Sequence, residues 1–168
     1  RWRYELTEAE YRSIIEAKTA ELFACCCQLG AHREGSDNRW EANLERFGRA
    51  IGIAFQIADD LLDLCGDENV TGKSLGTDLE KQKPTLPIIR LLETADGGRR
   101  EELLTLLNSP QPEARAELFA QLRESDAFEY ATAKAESYTE QARAELESLP
   151  KSPSRDTLEQ MTHFVVNR

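Results

Sequence analysis

The segment from Trp40 to Leu64 limits the fold most, because its second half, IGIAFQIADDLLDL, is apolar on nearly every side. Read as one helix of about 24 residues at 1.5 Å each, it would be about 36 Å long. A helix that is apolar all round lies inside a protein and must be wrapped by other elements. No stretch shows sustained apolar and polar alternation bounded by turn residues, so those elements are helices too and the fold class is all-α. With 168 residues, of which 40% are hydrophobic, the chain has enough apolar surface for a real core. There is no internal repeat and no dividing linker, so residues 1–168 are expected to form a single helical domain.

The flanking helices are predicted from periodicity and punctuation. From Thr7 to Leu29, the residues Tyr11, Ile14, Ile15, Leu22, Cys25, Cys26 and Leu29 follow the i, i+3, i+4, i+7 spacing of one buried stripe. The polar run GAHREGSDN then makes a loop. The segment CGDENVTGKSLGTDLEKQKPT makes a second loop, whose length itself suggests function. Thr85 caps a helix through Glu93 with Pro87 in its first turn. Further helices are expected at Arg99 to Leu107, Glu113 to Leu122, Ala127 to Leu149 and Ser154 to Val166, the last with Leu158, Met161 and Val165 on one side.

Composition removes several classes of function. A formal net charge of -10 argues against DNA or RNA as partner, since those ligands select a basic face. Cys25, Cys26 and Cys27 are consecutive and Cys65 stands alone, which is neither a disulfide framework nor a zinc spacing. They read as reduced core residues of a cytoplasmic protein. No apolar run reaches the roughly 20 residues of a membrane span, and RWRYELT has no secretory pattern. The absence of an initiating methionine suggests that Arg1 is internal to a longer protein.

The long helix ends on a conflict. On a wheel of about 100° per residue, Asp59, Gln56, Asp63 and Asp60 fall within about 100° of one another. Their neighbours Ile53, Ala54, Ile57, Leu61 and Leu64 predict burial, where carboxylates about 6 Å apart repel by roughly 3 kcal/mol at an effective dielectric of 20. A solvent-facing acidic patch at a helix start would be the plain explanation. These acids lie at the C-terminal end, where the helix dipole disfavours negative charge. A hard divalent ion such as Mg²⁺, completed by waters and a substrate phosphate, would resolve the conflict.

Gly48 and Gly52 extend this face towards the N-terminus, either admitting a close neighbouring helix or leaving a channel for a ligand's tail. In the first helix Lys18 interrupts the apolar stripe, so it must snorkel or meet an anion. Together with Lys73 and Lys83 after the acidic cluster, it would form a diphosphate cradle. The run GDENVTGKS is no phosphate-binding P-loop, because five residues separate its glycines and a helix precedes it. His32 and His163 read as solvated side chains.

FQIADDLLD, followed by GKSLGTDLEKQKPTLP and preceded by EAKTAELF, resembles the second aspartate-rich motif of trans-type prenyl diphosphate synthases. The ending LPKSPSRDTLEQMTHFVVNR is similar to the C-terminus of their longer-chain members. The resemblance implies the C-terminal part of the isoprenoid synthase helical bundle, built around a central ligand cavity. It implies that Asp59, Asp60 and Asp63 serve Mg²⁺, and that Lys18, Lys73 and Lys83 serve diphosphate. Thr19 and Gln56 would place dipoles near a carbocation, and Phe55 a ring beside isopentenyl diphosphate. The implied reaction joins an allylic prenyl diphosphate to isopentenyl diphosphate in a homodimeric, cytoplasmic enzyme.

The family's first aspartate-rich motif and its upstream basic region do not occur in these residues. The chain is therefore expected to be the C-terminal half of such an enzyme and inactive alone. Two other readings compete, a silent subunit of a heteromeric synthase and an acidic helical interaction domain. A terpene cyclase is disfavoured by DDLLD standing where cyclases of that class carry an Asn/Ser/Glu-type motif.

Overall fold

A computed structural model describes residues 6–32, 38–65, 79 and 83–167. Among them every regular element is helical and no strand occurs, as expected. The order is α1 (Glu8–Ile15), a π-helical turn (Glu16–Ala20), α2 (Glu21–Ala31), α3 (Asn38–Cys65), α4 (Leu86–Thr94), α5 (Gly97–Asn108), α6 (Pro112–Glu124), α7 (Ala127–Leu146) and α8 (Pro153–Val166). Much of both predicted loops lies outside the described residues.

Local chemistry explains most boundaries. Thr7 and Glu10 form a capping box at α1: the Thr7 backbone N–H and hydroxyl donate to Glu10 Oε2 at 2.9 and 2.8 Å, and the Glu10 N–H donates to Thr7 Oγ1 at 3.3 Å. The bonds from Thr7 hold the Glu10 carboxyl below its usual range. Asp96 accepts from Arg99 N to start α5, and Ser152 from Arg155 N to start α8. Thr85 occupies the cap position of α4, but its side chain makes no cap bond, contrary to the sequence expectation. Its Oγ1 is buried with no hydrogen-bond partner among the described residues.

The contacts gather into two compact units that interleave along the chain, residues 1–11 with 59–132, and residues 12–58 with 133–168. The core of the first joins Leu64, Leu79, Ile88, Leu91, Leu92, Leu103, Leu107, Leu118 and Leu122. That of the second joins Phe47, Ile51, Ala54, Ala142, Leu146 and Val165. In α8, Val165 is buried and Leu158 packs against this core. Met161, expected beside them, is exposed, and Thr162 is buried instead.

The predicted stripe of the first helix holds at only two of its seven positions. Tyr11 and Ile15 are buried, but Ile14, Leu22, Leu29, Cys25 and Cys26 are exposed, Leu22 by 67%. Ala20 and Ala24 are buried in their place. For the residues after Ile15 the cause is the π turn, which spends five residues on one hydrogen-bonded turn and so rotates everything after it off the 3.6-residue register, whereas Ile14 precedes the turn and is exposed within α1. Cys25 and Cys26 accordingly are not core residues, and the Cys65 side chain lies outside the described residues. Cys25, Cys26 and Cys27 are free thiols, and only Cys27 is half-buried, packed against the core of the second unit with its thiol pushed up by that burial.

In the first unit, the Arg90 guanidinium lies 4.4 Å from the centre of the Tyr130 ring while pairing with Asp126, and the Tyr130 hydroxyl donates to Glu8. The hydrogen bonds from Arg90 hold the Asp126 carboxyl below its usual range. A depressed carboxyl stabilises the fold above its unfolded pKa of about 4 and loses that contribution as pH falls through the lower folded value. Arg90→Gln is expected to lower the melting temperature at neutral pH and to flatten its fall through that acid window, the two curves converging once the carboxyl is protonated in both proteins. Melting curves from pH 2 to 7 measure this, and identical acid limbs would contradict it.

Candidate metal and diphosphate site

The last turns of α3 carry Asp59, Asp60 and Asp63, which differ in surroundings. Asp60 is fully buried, at 0% exposure. The Tyr11 hydroxyl donates to its Oδ2 at 2.7 Å, and Lys83 Nζ donates to its Oδ1 at 2.7 Å. Burying a carboxylate is costly unless it is paired and hydrogen-bonded, and here a phenol and an ammonium serve both oxygens. Asp59 and Asp63 are half-exposed and stand one helical turn apart. The acidic face is thus split into one interior carboxylate and two that reach towards solvent.

Sequence reasoning took Tyr11 for a plain core residue and missed its hydroxyl. A buried tyrosine ordinarily brings its O–H to a partner, which was the available signal. Lys83, expected to serve a diphosphate, is here the ion-pair partner of Asp60.

Among the described residues no group of three His, Cys, Asp or Glu side chains is arranged to hold a metal by itself. Magnesium, however, is characteristically held by one or two carboxylates together with waters and substrate phosphates. Two half-exposed carboxylates one turn apart suit that demand. Asp60, with its oxygens bonded to Tyr11 and Lys83, suits a supporting place behind them rather than a direct ligand's.

The second unit contains the expected residues Lys18, Thr19, Phe55 and Gln56. The Thr19 hydroxyl donates to Gln56 Oε1 at 3.2 Å, so these two are brought together as a pair. The Phe55 ring packs at a tilt against Phe23, with centroids 5.7 Å apart. Lys18 is exposed, not set within a buried stripe, because the π turn that contains it faces Ala20 inward. Lys73 lies outside the described residues. His32 is exposed, as expected, and its Nδ1 is 3.0 Å from Glu41 Oε1.

The two glycines now have a definite use. A Cβ on Gly52 would fall 2.6 Å from the Ala20 Cα, and one on Gly48 would fall 2.5 Å from the Phe23 carbonyl oxygen. Close packing of residues 20–24 on α3 therefore fills this stretch, which excludes a ligand channel at these positions.

The polyprenyl synthetase family model matches residues 1–124, and the chain belongs to that family. It is 39% identical over 166 residues to the short chain isoprenyl diphosphate synthase of Methanothermobacter thermautotrophicus, covering 99% of this chain and 51% of that protein. It is 31% identical to the octaprenyl diphosphate synthase of Escherichia coli, covering 98% of this chain and 51% of that one. A crystal structure of a decaprenyl diphosphate synthase from Rhodobacter capsulatus superposes with a TM-score of 0.90 at 32% identity, covering 99% of this chain and 52% of that chain. The chain thus spans about half the length of the relatives it matches. No helix among the described residues is long and apolar enough to cross a membrane.

Proposed function

We propose that this chain supplies the C-terminal half of a trans-prenyl diphosphate synthase, which condenses an allylic prenyl diphosphate with isopentenyl diphosphate. The observation that carries the reading is the end of α3, where buried Asp60 is locked by Tyr11 and Lys83 beside half-exposed Asp59 and Asp63. Family membership supports it.

In this reading Asp59 and Asp63 hold Mg²⁺, and Asp60 braces the helix end behind them. The bound ion supplies charge stabilisation for the departing diphosphate. Lys18, Lys73 and Lys83 add positive charge around the same group. The allylic carbon–oxygen bond breaks, the π electrons of isopentenyl diphosphate attack the resulting cation, and a proton leaves to give the longer chain. The Thr19 and Gln56 pair offers oriented dipoles to the cation, and Phe55 an apolar ring beside the incoming unit. A second aspartate-rich element, from the portion of the relatives that this chain does not span, completes the site. Chain elongation therefore needs that portion, and the 168-residue chain alone is expected to be inactive. The working enzyme is a cytoplasmic homodimer in the same reading.

Magnesium and pyrophosphate added together are expected to raise the melting temperature of the chain more than either alone, because a ligand that binds only the native state stabilises it. At about 100 times the dissociation constant the gain is about 2.7 kcal/mol. An acidic interaction domain without a ligand site would show no such shift.

A further inference from the structure

We infer that Arg49, through Glu16 and Glu21, is a positioning residue that holds the π turn and so sets how Lys18 and Thr19 are presented. The inference rests on the roles proposed above for those two residues. Arg49 Nη1 donates to Glu16 Oε1 at 3.2 Å and to Glu21 Oε1, while Nη2 donates to Glu45 Oε1 at 2.9 Å.

Glu16 is the first residue of the π turn and Glu21 the first after it. In a continuous α-helix, residues five apart point about 140° away from each other, beyond the reach of a single guanidinium. The π turn closes that gap, because its hydrogen bond spans five residues and the Glu21 N–H donates to the Glu16 carbonyl. The ion cluster and the π geometry therefore require each other. A planar guanidinium with several fixed donors can hold three carboxylates at once, which a lysine ammonium does poorly.

The rest of the turn is fixed from the same helix. Gly52, three residues on from Arg49, lets Ala20 approach the α3 backbone. Gln56, one turn further, receives the Thr19 hydroxyl. Arg49, Gly52 and Gln56 thus grip residues 16–21 at three successive levels of one α3 face. Relaxing the turn to α geometry would shift Lys18 and Thr19 by the extra residue that the turn absorbs.

The test compares amide hydrogen exchange and magnesium–pyrophosphate affinity in Arg49→Met, Arg49→Lys and Arg46→Met. Arg46, on the same helix, pairs with Glu145 and serves as the control for losing a surface ion pair. Arg49→Met is expected to speed exchange at residues 16–21 at least tenfold and to weaken the affinity about tenfold. Arg49→Lys is expected to recover part of both, and Arg46→Met to leave both within twofold. Unchanged exchange at residues 16–21, or faster exchange with unchanged affinity, would overturn the inference. A wild-type chain that binds no magnesium pyrophosphate would refute the proposed function instead, and exchange alone would then decide whether Arg49 holds the turn.

Discussion

Lys83→Met is expected to destabilise the fold by about 3 kcal/mol, because it leaves a buried carboxylate short of its cation. The Asp60 side chain is 0% exposed and that of Lys83 34% exposed, so the pair is neither a solvent-screened surface bridge nor fully desolvated. Breaking fully buried pairs costs about 3 to 5 kcal/mol, and the partial exposure of the lysine puts this one at the low end. Exposed pairs contribute about 0 to 1 kcal/mol, so a loss below about 1 kcal/mol would contradict the burial argument. Adding Asp60→Asn to Lys83→Met removes the stranded charge while keeping an acceptor for Tyr11. The double variant is expected to be more stable than Lys83→Met alone. Urea unfolding of both single variants and the double variant gives the coupling directly.

Gly52→Ala is expected to cost about 2 kcal/mol, a result whose sign separates packing from propensity. Alanine is the better helix former by about 1 kcal/mol, so an unpacked Gly52 would gain stability on substitution. The added Cβ would instead lie 2.6 Å from the Ala20 Cα and 3.0 Å from its Cβ. A backbone atom cannot swing aside as a flexible side chain can, and forced overpacking typically costs about 1 to 3 kcal/mol. Gly97, whose added Cβ would meet nothing within 4 Å, provides the control. Chemical denaturation of both alanine variants decides it, and equal effects would contradict the close approach.

The central helix and the later helices were legible because their signals are local. An apolar second half marks α3 as interior whatever surrounds it. Asp96 and Ser152 sit at cap positions, with Pro153 opening α8. The first helix was misread because the wheel assumes one pitch throughout, and nothing in EAKTA announces a π turn. The turn is stabilised by Arg49, which is distant in sequence, so a local pattern carries no trace of it. The exposed Leu22, Leu29, Cys25 and Cys26 follow from that one shift, while Ile14 lies before it. At the acidic face, spacing put three carboxylates together but could not rank them. The division came from Tyr11 and Lys83, both far along the chain from Asp60, and from the burial they compensate. The glycines were ambiguous for the same reason, since only the position of Ala20 and Phe23 decides between a packed helix and a channel.

The claim that this chain carries half of a magnesium–diphosphate site is tested most directly by calorimetric titration of pyrophosphate into the 168-residue chain, with and without Mg²⁺, in wild type and Asp59→Ala. Asp59 is half-exposed, so its removal should leave the fold in place, which a melting curve verifies. The account predicts saturable binding that requires magnesium in the wild type and is lost in Asp59→Ala. Binding of equal strength in the variant, or no magnesium-dependent binding in the wild type, would contradict it.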